Sequence, residues 1–107
     1  MEFTVIFRAG ATKTERWRRA HDFILTSISE GHNFRQCFFQ EAGVTAAIDH
    51  TAMPVWIDLA AQSGAELILC SQAIEEYRVE APRPFVVGGL GTLIEAGVMS
   101  DKVVCFA

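Results

Sequence analysis

Three cysteines, Cys37, Cys70 and Cys105, and three histidines, His21, His32 and His50, carry most of the chemical potential of this 107-residue chain. The cysteines lie far apart, no CxxC occurs, and no Cys/His pair has ligand spacing. Neither a disulfide scaffold nor a structural zinc site is therefore expected. What remains are single thiols of the kind a reducing compartment preserves, each either core filler or a nucleophile. Cys70 is the sharpest candidate, because it ends the apolar run Leu67-Ile68-Leu69-Cys70 and a short helix follows, with Ser71 read as its N-cap. Backbone amides of that turn point toward a strand-end sulfur, and a helix start favours negative charge. Free cysteine is also among the most buried residue types, so spacing alone leaves a buried thiol and a working thiol both open.

Cys37, between Gln36 and Phe38, and Cys105, between Val104 and Phe106, read as core or sheet-face thiols. His50, beside Asp49, would act as a base or thiolate partner only if the fold carried it to Cys70; a polar loop is the plainer reading. Gly88-Gly89-Leu90-Gly91 invites a phosphate-cradling reading, but it has no GK[ST] ending and does not follow the first strand. A tight loop-to-helix junction explains those glycines equally well.

The elements that must position these groups alternate. Residues 3 to 7 read as a strand, and Thr14 to Gly31 as a helix with Trp17, Ala20, Ile24 and Ile28 on one face. Residues 34 to 39 form a second strand and residues 40 to 50 a loop. A helix over about 53 to 62 carries Pro54 in its first turn and stops at Gly64. The run 67 to 70 suits a buried parallel strand, 71 to 77 a short helix, and Phe85-Val86-Val87 a brief extended piece. A flexible glycine turn, a helix over 92 to 98 and a strand over 102 to 106 complete the chain. This order predicts one α/β domain over 1–107, with a mostly parallel sheet covered by helices on both sides. Ligands of such sheets gather beyond the carboxyl ends of the strands, which selects Ala9 to Lys13, Gln40 to Gly43 and Cys70 to Gln72.

Composition narrows the function. A net charge of −4 disfavours direct nucleic-acid binding, which needs clustered cations. The basic group Arg16, Arg18 and Arg19, beside Lys13, reads as the solvated face of the first helix. No apolar stretch approaches a membrane span, and Met1 leads directly into a strand, so a cytoplasmic protein is expected. With 50% hydrophobic and only 21% charged residues, a chain this small gains from self-association or a permanent partner.

Three stretches taken in order, His32 to Val44, Leu67 to Cys70, and Gly88 to Ala96 with Asp101 to Val104, resemble the DsrE/TusD family of sulfur-relay proteins. The correspondence runs from the first strand to the last. It implies a flavodoxin-like three-layer α/β/α fold of the DsrE type. It also implies that Cys70 accepts sulfane sulfur as a persulfide and passes it to a partner protein thiol, in tRNA thiolation or in sulfur oxidation. No metal, flavin or other cofactor is implied. Partners implied are sulfur donor and acceptor proteins, and either a homo-oligomer (trimer or hexamer) or a hetero-hexamer with related subunits. Supporting subunits of such rings typically lack a cysteine at this position. Two departures touch the surfaces a donor or acceptor would approach: a shorter segment after Val44, and Glu75-Glu76 where a basic pair is more usual. A non-catalytic subunit of the same ring, using Trp56, Phe85 or an exposed sheet edge, is the alternative; a phosphate-binding module is a third.

Overall fold

The computed structural model describes the backbone of residues 1–107 and every side chain except those of Leu90 and Ala96. Five strands, β1 (Glu2–Phe7), β2 (Asn33–Phe39), β3 (Glu66–Cys70), β4 (Val86–Gly88) and β5 (Lys102–Phe106), form one sheet in the order β4-β3-β2-β1-β5. Every pairing is parallel. The helices are α1 (Thr14–Ser29), α2 (Ala52–Ser63), α3 (Ser71–Glu76) and α4 (Leu90–Met99).

Connection handedness decides which face each helix covers. The steps β1 to β2, β2 to β3 and β3 to β4 all move the same way across the sheet, so right-handed crossovers place α1, α2 and α3 on one face. The step from β4 to β5 returns across three strands and places α4 on the other. The three-layer α/β/α architecture is therefore present, with unequal outer layers.

The thicker side holds the core. Trp17, Ala20 and Ile24 of α1, and Trp56 and Leu59 of α2, are buried against Phe3, Val5 and Phe7 of β1 and Cys37 and Phe39 of β2. A bulge keeps this face apolar: Phe3 pairs with Phe34 and Thr4 with Gln36, so Arg35 is the extra residue. The slip lets Phe34 join Cys37 and Phe39 on the same side despite their odd spacing. Burying each large side chain here stabilises the fold by roughly 1.5–3 kcal/mol relative to exposure.

Element boundaries mostly follow the sequence pattern, with four differences. The expected loop after β2 is a 3-10 helix over Glu41–Ala47, closed by bonds from Gly43 N to Gln40 O at 2.8 Å and from Ile48 N to Thr45 O at 3.1 Å. The brief extended piece is β4, a true edge strand paired with β3. The glycine segment is not a free turn, since Gly88 lies in β4 and α4 begins at Leu90 rather than at Thr92. Ser71 is the first residue of α3 and not its cap; that position is Cys70, whose backbone is extended at φ −63° and ψ 125°.

Candidate functional site around Cys70

Two aromatic-anchored strand ends build the floor of the site. Trp56 packs its ring edge-on to Phe39 at 5.0 Å and against Phe7 at 5.3 Å, and Phe85 meets Phe39 at 5.8 Å. The residues that follow these anchors, Arg8 after Phe7 and Gln40 after Phe39, are thereby delivered to the carboxyl edge of the sheet. Cys70 arrives there on β3, beyond the buried Leu67, Ile68 and Leu69.

Cys70 is half-buried and lies between two hollows. One, of about 360 Å³, is lined by Arg8, Gln40, Glu41, Gln72 and Glu76 together with Cys70. The other, of about 300 Å³, is lined by Phe38, Gln40, Ser71, Gln72 and Gly89 together with Cys70. Cys70 is therefore partly exposed at the carboxyl edge while the strand residues before it, Leu67, Ile68 and Leu69, stay in the core.

The wall opposite Cys70 is tied down from several directions. Gly43 sits so close to β1 that an added Cβ would lie 2.2 Å from the Phe7 carbonyl oxygen, so only glycine fits. The Thr45 hydroxyl donates to the Ala42 carbonyl oxygen at 2.7 Å and accepts from the Ala11 N–H at 2.9 Å, joining the 3-10 helix to the loop after β1. Glu41 adopts a left-handed backbone at φ 49°, which costs a non-glycine residue about 1–2 kcal/mol. Its carboxylate lies 3.9 Å from Arg8 Nε, and the same Nε donates to Gln40 Oε1 at 3.1 Å.

Of the three strand-end segments selected from sequence, the structure brings two together, Gln40 to Gly43 and Cys70 to Gln72. The third, Ala9 to Lys13, packs against the 3-10 helix through the Ala11 N–H to Thr45 hydrogen bond but lines neither hollow beside Cys70; Thr12 and Lys13 line a separate hollow with the start of α1. No histidine lines either hollow beside Cys70, so the Cys70–His50 pairing does not form. His50 is exposed, and its neighbour Asp49 holds the start of α2, where the Asp49 Oδ2 accepts the Thr51 and Ala52 amides at 3.0 and 2.8 Å.

The other two thiols separate sharply. Cys37 is fully buried, and loss of solvation pushes its thiol well above the ordinary range. Cys105, expected in the core or on a sheet face, is on a sheet face but exposed. It pairs in register with Ile6 on the side that α4 covers only in part. Trp56 and Phe85, considered as interface residues, are instead buried in the core. The glycines are explained by packing: a Cβ on Gly88 would meet Ile68 Cγ2 at 2.6 Å, and Gly89 N–H donates to the Thr92 hydroxyl at 3.4 Å.

Sequence reasoning missed Arg8. It lies one residue before the first selected segment, and its side chain reaches the hollow only because β1 and β3 flank β2.

Among the described residues, no group of three or more His, Cys, Asp or Glu side chains is placed to hold a metal ion. Among the described residues, no helix is long and apolar enough to cross a membrane.

Comparison with known proteins adds the family. Residues 1–106 match the DsrE/DsrF-like family. A sulfurtransferase TusD from Serratia proteamaculans is 27% identical, covering 99% of both chains. A putative sulfurtransferase DsrE from Allochromatium vinosum is 25% identical, covering 99% of this chain and 98% of that protein. Among solved structures, the YchN protein from E. coli superposes with a TM-score of 0.80 over 99% of each chain; at 13% identity, this similarity concerns the fold alone.

Proposed function

The chain belongs to the DsrE/DsrF-like family, and from that premise we propose that it is a sulfur-relay protein that carries sulfane sulfur as a persulfide on Cys70. The observation that carries this reading is the placement of Cys70 between two hollows at the carboxyl edge of the sheet, on a strand whose preceding residues are buried. Relatives named as sulfurtransferases support the chemistry.

In the loading step the Cys70 thiolate attacks the outer sulfur of a donor persulfide. A bond forms between Cys70 Sγ and that sulfur, and the donor S–S bond breaks. The donor departs as a thiolate with the bonding electron pair, and the proton stays on the transferred sulfur or passes to water. Delivery repeats the exchange, with an acceptor thiolate attacking the outer sulfur and Cys70 leaving as thiolate. The electrons balance, so neither step needs an external oxidant. The three unpaired cysteines suit a reducing cytoplasm.

Donor and acceptor are proteins that present a thiol at the open edge. The α4 side also exposes Ile94 and Val98 on the helix, with Val86 and Val103 on the strands. Those residues fit a ring in which this face packs on copies of the chain or on related subunits.

Incubation with a persulfide donor is expected to add the mass of one sulfur atom to the protein, and Cys70→Ser to abolish the addition. Equal loading of the serine variant removes Cys70 from the proposal.

A further inference from the structure

We propose that Arg8 is the cation of the Cys70 site and that its terminal guanidinium nitrogens hold the outer sulfur of the Cys70 persulfide as its anion. This rests on the reading of Cys70 as the sulfur carrier and adds to it the group that makes the carried charge tolerable.

The first observation is one of reach. Arg8 follows the last residue of β1, and Cys70 ends β3, with β2 between them. Adjacent strands are about 4.8 Å apart, so an arginine is long enough to cross above β2 and enter the hollow beside Cys70. Arg8 and Cys70 do line that hollow together. Gln40, at the end of β2, accepts the Nε–H at 3.1 Å and serves as a splint along the way.

The second is the use of the guanidinium. Nε is engaged by Gln40 and lies 3.9 Å from the Glu41 carboxylate. Neither terminal nitrogen makes a hydrogen bond or ion pair among the described residues. Four N–H donors are thus left without a protein partner among the described residues, on a group that stays charged at all working pH values.

The third is the charge of the surroundings. The larger hollow beside Cys70 is lined by Glu41 and Glu76, with Arg8 as the one cation among its lining residues, while the smaller hollow is lined by no charged residue. Without it, an anionic sulfur on Cys70 would face two negative groups and no positive one. A persulfide is a stronger acid than a thiol and loses its outer proton to water at neutral pH, leaving negative charge on the outer sulfur. That sulfur sits about 2.05 Å beyond Sγ, and the larger of the two hollows that Cys70 lines is the one it shares with Arg8.

The test uses the full chain with Cys105→Ser, which removes the exposed second thiol, and compares Arg8 with Arg8→Lys and Arg8→Gln. Inorganic polysulfide is the donor, and intact mass reads the fraction of protein carrying one added sulfur at sub-saturating donor. Arg8→Lys is expected to stay within about twofold of the parent. Arg8→Gln is expected to fall about fivefold, the size of one screened charge pair at close range. The difference should shrink near 1 M salt, where screening acts over about 3 Å. Loading of Arg8→Gln equal to the parent, at low and high salt, overturns the role of Arg8 while leaving Cys70 as carrier. A parent that takes up no sulfur, or takes it up equally with Cys70→Ser, overturns the underlying reading and this inference with it. Equal losses in the Lys and Gln variants, independent of salt, mark a structural role and also overturn it.

Discussion

The two faces of the sheet are built from the same strands and differ in almost every other respect. On the α1–α2 side, Phe3, Val5, Phe7, Cys37 and Phe39 meet two long helices, and Trp56 is 0% exposed. On the α4 side one ten-residue helix covers a mixed surface. Thr4 and Gln36 are buried there, with Thr4 hydrogen-bonded to the Ser100 hydroxyl and to Gln36. Ile94 is 60% and Val98 78% exposed. The thick side supplies the stability of the isolated chain. The thin side is suited to being completed by something else. Cys70 stands at the edge between them, where a rigid strand ends and backbone turns outward.

Three experiments sharpen or break this contrast. The largest effect is expected on the thick side, where Trp56→Ala should destabilise the chain by about 3–5 kcal/mol in urea unfolding, because the cavity beside Phe7 and Phe39 cannot fully collapse. A loss below about 1 kcal/mol would mean the two faces are energetically alike.

A smaller effect concerns Cys37 and alkaline pH. Burial raises its folded-state thiol above the unfolded-state value, so the unfolded chain ionises first and stability is lost as pH rises past about 8.5. Relative to Cys37→Ala, the natural chain should lose up to about 1.4 kcal/mol per pH unit in that range, read from unfolding midpoints at several pH values. Parallel pH curves for the two proteins would show that Cys37 is not kept neutral by the core.

The smallest stability change belongs to the thin side. Ile94→Ser combined with Val98→Ser should alter the stability of the dilute chain by no more than about 0.5 kcal/mol, since both side chains are already exposed. The same double variant should lower the assembled mass measured by light scattering if this face forms the ring contact. An unchanged assembly would move that contact elsewhere.

Much of the molecule was legible in the linear chain because its signals are local. The spacing of Trp17, Ala20 and Ile24 marked α1, Pro54 and Gly64 bracketed α2, and the run Leu67 to Cys70 marked a strand buried on both sides. Gly64 does adopt the left-handed backbone, φ 75°, that its stop position predicts. The boundaries that failed lie where tertiary contact overrides local preference. The segment 41–47 looks like a loop by composition, but small residues and Gly43 let it wind tightly against Phe7. The glycines at 88 and 89 look mobile, yet Gly88 is required by Ile68 and belongs to an edge strand.

Residue chemistry and local pattern therefore pointed, without any coordinates, to a mostly parallel α/β chain with Cys70 at a strand end, and the resemblance of three ordered stretches added the DsrE type. Three things depended on the tertiary structure. Cys37 and Cys105 have similar strand contexts, and only their places in the fold, Cys37 on central β2 beneath α1 and α2 and Cys105 on the edge strand β5, make one buried and the other exposed. His50 is a plausible partner by residue type, and only the path of the chain separates it from Cys70. Arg8 is 62 positions from Cys70 and carries no motif, and only the strand order turns it toward the same hollow. Periodicity is written into neighbouring residues, whereas the surroundings of a functional group are set by which distant segments the sheet aligns.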